Sequence, residues 1–154
     1  MAKAKVETLI TQSLLDRLAN VEDFPTTRAA SMRMYRESLK RDVEWLLNTR
    51  QAQIPELEGY PRAAASVVNF GLPDIQAYAG AEGKDSNALT AALLRALRTF
   101  EPRILNPRVY MSRVDTNSRS LRFHIEGQIK FETMEEEITF DTLLELIRGE
   151  FEVK

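Results

Sequence analysis

The feature that most constrains this chain is a change in its hydrophobic period. Up to about residue 104 the apolar residues recur at steps of three and four, and from about residue 105 onward they recur at steps of two. The first spacing lines one stripe of an α-helix, and the second lines one face of a β-strand. Helices followed by strands, rather than strands alternating with helices, read as an α+β fold. We therefore expect N-terminal helices packed on a C-terminal antiparallel β-meander of about four strands. A length of 154 residues fits a single domain, 1–154, with a mainly helical part over 1–104 and a β-sheet part over 105–154.

The first helix is expected from about Val6 to Ala19, with Leu9, Ser13/Leu14 and Leu18 near one apolar face. Pro25 closes the segment behind it, because proline disfavours helix at Phe24. Thr26 or Thr27 can cap a second helix, in which Met32, Tyr35, Leu39, Val43 and Leu46 form the stripe, with Trp45 and Leu47 beside it. Its opposite face carries Arg33, Arg36, Glu37, Lys40, Arg41 and Glu44, and the helix is expected to end near residues 48–50. A loop is expected from Gln51 to about Ala65, then a short apolar segment, Ser66 to Gly71. Gly80 and Gly83 read as a hinge. A third helix, from about Asn87 to Phe100, is stopped by Pro102.

Beyond that point Val109, Met111 and Arg113 alternate with Tyr110, Ser112 and Val114, and residues 115–118 read as a turn. Leu121, Phe123, Ile125, Ile129 and Phe131 share one face, with Gly127 among them. Arg122, His124, Glu126, Gln128 and Lys130 share the other, the pattern of an antiparallel strand with one wet face. Residues 132–137 read as a polar turn. Ile138, Phe140, Leu144 and Leu146 resume the alternation, Arg148-Gly149 turns the chain, and Phe151 and Val153 end it.

Composition argues against several functions. Twenty-one Lys and Arg against 23 Asp and Glu give a net charge of -2, which does not favour nucleic acid or an anionic membrane. There is no cysteine, hence no disulfide or thiolate metal site. No signal-peptide core is seen, and no run reaches the ~20 apolar residues that span a bilayer. This predicts no direct membrane insertion and fits a cytoplasmic location. His124, the single histidine, reads as a surface residue without a nucleophile to serve. Glu135-Glu136-Glu137 cannot converge on a metal if extended, because alternate side chains diverge, and they read as a solvated turn. No phosphate-binding, zinc-protease or calcium-loop motif is present. No cofactor, no metal and no catalytic residue is assigned. A glycosidase would need two carboxylates in one cleft, and nothing in the sequence singles out a pair.

One local feature has a distinct geometry. In Phe100-Glu101-Pro102-Arg103 the proline sets Glu101 in an extended conformation where the helix ends, with Arg103 beyond it. A planar guanidinium there suits a carboxylate or a backbone carbonyl of a partner. The corner reads either as a docking point, with both charges exposed beside an apolar patch, or as a helix stop with an incidental ion pair.

Four segments carry a resemblance: residues 14–18 (LLDRL), 42–50 (DVEWLLNTR), 66–74 (SVVNFGLPD) and 100–103 (FEPR). In this order they resemble the TssE subunits of type VI secretion baseplates, relatives of the GPW baseplate wedge proteins of contractile phage tails, a family that has also been labelled lysozyme-like. The resemblance implies a structural, non-enzymatic wedge component. Its implied partners are the wedge proteins TssF and TssG, met through Glu101, Pro102 and Arg103 with support from Asn48 and Arg50, and the sheath proteins TssB/TssC, for which the β-rich end offers a template. A peptidoglycan hydrolase and a generic α+β interaction domain are the alternative readings.

Overall fold

The structure, a computed structural model, describes residues 9–19, 24–52, 54–74, 85–113, 120–131, 134–145 and 150–154. Its contacts gather into two compact units, Met1–Asp42 and Val43–Lys154. The expected turns at 115–118 and 148–149 and the hinge at 80–83 lie outside the described residues.

In the first unit, helix α1 (Leu14–Ala19) is followed by helix α2 (Arg28–Asn48), which runs on into the second unit. Thr27 caps α2, its Oγ1 accepting from the Ala30 N–H at 3.2 Å. Helix α1 is shorter than expected and faces the other way. Residues 9–13 are not helical, and Leu14 and Leu18 are 71% and 68% exposed, whereas Asp16 is buried. The cause is polar. Ser13 Oγ accepts from the Asp16 N–H at 3.1 Å and donates to Asp16 Oδ2 at 2.6 Å. Arg41 then reaches Asp16 Oδ1 at 2.5 Å and also binds Asp42. A buried carboxylate must keep its counter-charge, and this requirement turns the leucines outward.

The second unit begins with the last turns of α2. Val43, Leu46 and Leu47 are buried, and Thr49 Oγ1 donates to the Trp45 carbonyl at 2.6 Å where the helix ends. Trp45 itself is exposed. The expected 51–65 loop is more ordered than its composition suggests. Pro55–Gly59 forms a 3₁₀ turn and Pro61–Ala64 a one-turn helix, α3, each with proline at its start, where no amide donor is needed. Val67–Asn69 is another 3₁₀ turn, started by the Ser66 hydroxyl. Helix α4 (Asp85–Phe100) buries Leu89, Leu93, Ala96 and Leu97, a stripe at steps of three and four.

The sheet is a four-stranded antiparallel meander, β1 (Ile104–Arg113), β2 (Ser120–Phe131), β3 (Met134–Glu145) and β4 (Glu150–Val153), in sequential order. The β2–β3 register runs unbroken from Ser120↔Glu145 to Phe131↔Met134. Phe123, Ile125, Ile129, Ile138, Phe140, Phe151 and Val153 are buried on one face, as the alternation predicts. Residues 135–137 correct the expected polar turn, since they belong to β3. The register sets Glu135 opposite Lys130 and Glu136 opposite Ile129, and ladder pairing overrides the low strand preference of glutamate.

Strand β1 carries a bulge. Leu105 faces Gln128 and Arg108 faces Glu126, so Asn106 and Pro107 together stand opposite Gly127. Asn106 has φ +50°, a left-handed conformation that asparagine tolerates. Gly127 lacks a side chain for a steric reason: a Cβ there would lie 2.3 Å from Ile104 Cγ2.

The Arg41 hydrogen bond holds Asp16 below the ordinary carboxylate pKa against the opposing effect of burial, and Ser13 adds to the shift. A lowered folded pKa contributes stability that is fully present above the unfolded value near 4 and is lost as pH falls through the folded value. Asp16→Asn should therefore cost about 1–3 kcal/mol near pH 7, and the gap to wild type, unchanged from pH 7 to about 5, should narrow as pH falls below about 4. Urea titrations across that range check this; a gap independent of pH would show that the Asp16 charge is not what stabilises the unit.

Candidate functional site

The corner after α4 is built by two backbone hydrogen bonds. The Glu101 N–H donates to the Leu97 carbonyl at 2.9 Å, the last helical bond, and the Ile104 N–H donates to the Glu101 carbonyl at 3.1 Å. The second bond closes a four-residue turn with Pro102 at its second position, where the fixed proline φ fits. The chain leaves this turn directly as β1.

Glu101 is only 5% exposed. Arg103 closes on it as a fork, Nε to Oε1 at 2.5 Å and Nη2 to Oε2 at 2.6 Å. This corrects the expectation that both charges lie at the surface. The turn directs the glutamate inward, and a buried carboxylate needs a counter-ion and hydrogen bonds to be tolerable. Arg103 supplies both from a partly exposed position, with 25% of its side chain accessible. The two charges meet as expected, but only the arginine and the exposed Pro102 are within reach of a partner.

Segments 49–51 and 69–74 are joined next to this corner. Arg50 and Leu72 form a parallel bridge, in which the Leu72 N–H donates to the Thr49 carbonyl at 2.8 Å and the Gln51 N–H to the Leu72 carbonyl at 2.7 Å. Gly71 makes the approach possible. Its φ is +111°, and a Cβ would stand 2.3 Å from the Thr49 carbonyl oxygen. Phe70 then meets Phe100 edge-on, with ring centroids 5.3 Å apart. The Gln51 amide binds Asn69 Oδ1, and Asn69 Nδ2 donates to the Ala64 carbonyl at 2.9 Å. A groove of about 150 Å³, lined by Gln51, Gly71, Pro73, Arg95 and Phe100 among others, runs between this segment and α4.

The remaining predicted site residues are held by separate partners. Arg50 is exposed, with its guanidinium 3.9 Å from Asp74, too open a pair to add much stability. Asn48 binds the backbone of Phe151 at both of its amide atoms, donating to the carbonyl at 2.9 Å and accepting from the N–H at 2.7 Å. No local pattern signals the Asn48–Phe151 contact, because 103 residues separate the pair. Gly71 could have been found from its position between two apolar residues ahead of Pro73.

The polar face of the sheet shows no catalytic arrangement among the described residues. Its hollow of about 560 Å³, around the bulge, is lined by Arg98, Arg108, Glu126, Gln128 and Glu137. Both glutamates are exposed, whereas a glycosidase acid sits in an apolar pocket. His124 pairs with Asp141 across β2 and β3. No group of three or more His, Cys, Asp or Glu able to hold a metal occurs among the described residues, and no described helix is long and apolar enough to cross a membrane.

A helix that ends in an internally neutralised corner and continues into a four-stranded antiparallel meander defines a small α+β protein. The chain belongs to the baseplate wedge protein gp25 family, which it matches over residues 33–134. That span holds the 42–50, 66–74 and 100–103 segments together with β1 and β2. No curated protein matches the chain. Membership makes the protein a structural component of a contractile-machine baseplate, a role met by binding other baseplate proteins.

Gly71→Ala should cost about 1–3 kcal/mol for the disfavoured φ alone, with a further loss from the clash at Thr49. The midpoint of urea unfolding should fall accordingly, and an unchanged midpoint would show that the 49–51 and 69–74 segments are not held as described.

Proposed function

We propose that this protein is a TssE-type wedge subunit of a type VI secretion baseplate, a single-domain cytoplasmic adaptor. It binds TssF and TssG through the Glu101-Pro102-Arg103 corner, and its meander offers the template on which the TssB/TssC sheath begins. The observation that supports this reading best is the family match running through the corner, together with the state of the arginine there. A buried carboxylate holds the Arg103 fork in place, and a quarter of the arginine side chain remains accessible. A cation held in this way loses little side-chain freedom on docking, so its hydrogen bonds to a partner carboxylate or carbonyl act with less entropic opposition. Pro102 stiffens the same surface. Asn48 and Arg50 support this side, Asn48 by tying the end of α2 to β4 and Arg50 from the exposed bridge beside Leu72. The role requires no cofactor, metal, nucleic acid or membrane insertion.

Arg103→Ala would leave Glu101 buried without a counter-charge and so weaken the fold itself. Arg103→Lys keeps the charge but loses the planar fork, which makes it the sharper probe. Arg103→Lys should fold with an unchanged far-UV circular dichroism spectrum and bind co-expressed TssF and TssG more weakly by about 2 kcal/mol or more. Full recovery of both partners with the lysine variant would remove the corner from the interface. Failure of the wild-type chain to recover either would count against the wedge assignment as a whole.

A further inference from the structure

The groove beside the corner has an apolar floor and a charged rim. Ala92, Ala96 and Phe100 stand at steps of four on α4 and form its floor, with both alanines buried, and Gly71 and Pro73 wall it from the other side. Arg95 and Thr99, also four residues apart, are exposed and stand at its mouth. The groove holds about 150 Å³, and a cavity of about that size takes a benzene-sized group. Its dimensions therefore suit one large apolar side chain.

The polar groups that border the groove make no competing demand. The Gln51 amide is bound to Asn69, and the Gln51 and Leu72 N–H groups are bonded in the bridge. Among the described residues the buried polar side-chain atoms without a partner are Gln12 Oε1 and Thr142 Oγ1, and neither residue lines the groove. An apolar group can enter without stranding a buried donor or acceptor. The walls are also set before anything binds, since Gly71 brings its segment against Thr49 and Phe70 meets Phe100 edge-on. A preformed groove needs little ordering to receive a ligand.

Charge indicates what accompanies that side chain. Among the described residues Arg95 is the one charged side chain lining the groove, and none of them pairs with it. From Thr90 to Arg113 the chain carries five arginines and a single acid, Glu101, which is buried and already bound to Arg103. The stretch that carries the groove and the corner is thus basic in a chain whose net charge is -2, and a local field of this sign selects an acidic partner. We propose that the groove between α4 and the 69–74 segment is an anchor site for a partner protein, taking one large apolar side chain whose neighbouring carboxylate pairs with Arg95. The proposal rests on the reading that this side of the molecule meets the wedge proteins. A protein fits the site better than a nucleic acid or an anionic membrane, because the groove offers one apolar seat beside one cation, whereas phosphates call for an array of cations.

The test compares three variants of the full-length chain. Thr99→Trp, or Thr99→Leu if the tryptophan variant does not fold, fills the mouth of the groove. Arg95→Glu and Arg98→Glu change the net charge equally, but Arg98, also exposed on α4, lines the hollow around the bulge instead. The Thr99 variant and Arg95→Glu should each bind co-expressed TssF and TssG about tenfold more weakly or worse, with the melting temperature unchanged, while Arg98→Glu should stay within about twofold of wild type. Equal weakening by the two charge reversals, or full recovery of both partners with the groove filled, overturns the anchor site. Retention of wild type on duplex DNA or phosphatidylserine vesicles, lost alike in both reversals, overturns it too and names an anionic polymer or surface as the occupant. If wild type recovers neither wedge protein, the wedge reading fails, and the groove is judged by phenylacetate, an apolar ring bearing a carboxylate. At millimolar concentration phenylacetate should shift the Gly71 and Phe100 amide signals in NMR spectra of wild type and leave those of the Thr99 variant unmoved. No shift in wild type, or the same shift in both, overturns the proposal.

Discussion

The buried carboxylate of Glu101 is the contact on which the junction between α4 and the sheet depends. It lies where helix gives way to strand, and it is stable there only because Arg103 neutralises it through two hydrogen bonds. An ion pair of this kind adds little net stability over an apolar substitute, but losing one member leaves an uncompensated charge. Its contribution is therefore geometric. It fixes the turn that sends the chain into β1, it fixes the direction of the guanidinium, and the backbone bond from Ile104 to Glu101 starts the sheet from the same point.

Around that corner the motif segments serve mainly to brace it. Gly71 lets the 69–74 segment approach Thr49 closely enough for the Leu72 bridge, which sets Phe70 against Phe100 at the end of α4. Asn48 ties the far end of α2 to β4. The motif residues thus hold different positions: Arg103 and Pro102 lie at the surface, while Glu101, Gly71 and Asn48 make the contacts that fix the backbone around it. Under the proposed function this division has a physical use, because a rigid surface loses less entropy on assembly.

Much of this architecture could be read in the sequence where many residues repeat one pattern. Leu39, Val43 and Leu46 of α2, Leu89, Leu93 and Leu97 of α4, and Phe123, Ile125 and Ile129 of β2 are all buried as their spacing requires. The reading failed where a single distant polar contact outweighs the local pattern. Asp16 reverses α1 because Arg41 lies 25 residues away, and Asn48 meets Phe151 across 103. It failed again where elements are too short for a period to show, as in the proline-led turns at 55–64, and where pairing overrides preference, as for Glu135 to Glu137 in β3. The Glu101–Arg103 pairing was legible, but the burial of its acid was not, since burial depends on which way the turn faces.

The contact between Gly127 and Ile104 bears on how such a sheet can vary over evolutionary time. Because the isoleucine occupies the space that a side chain at 127 would fill, neither position can drift alone. Enlarging one demands that the other shrink, and the bulge that sets their spacing must be kept throughout. Across divergent homologues these two sites should change in concert, a bulky residue moving from one strand to the other, while the volume they share stays nearly constant.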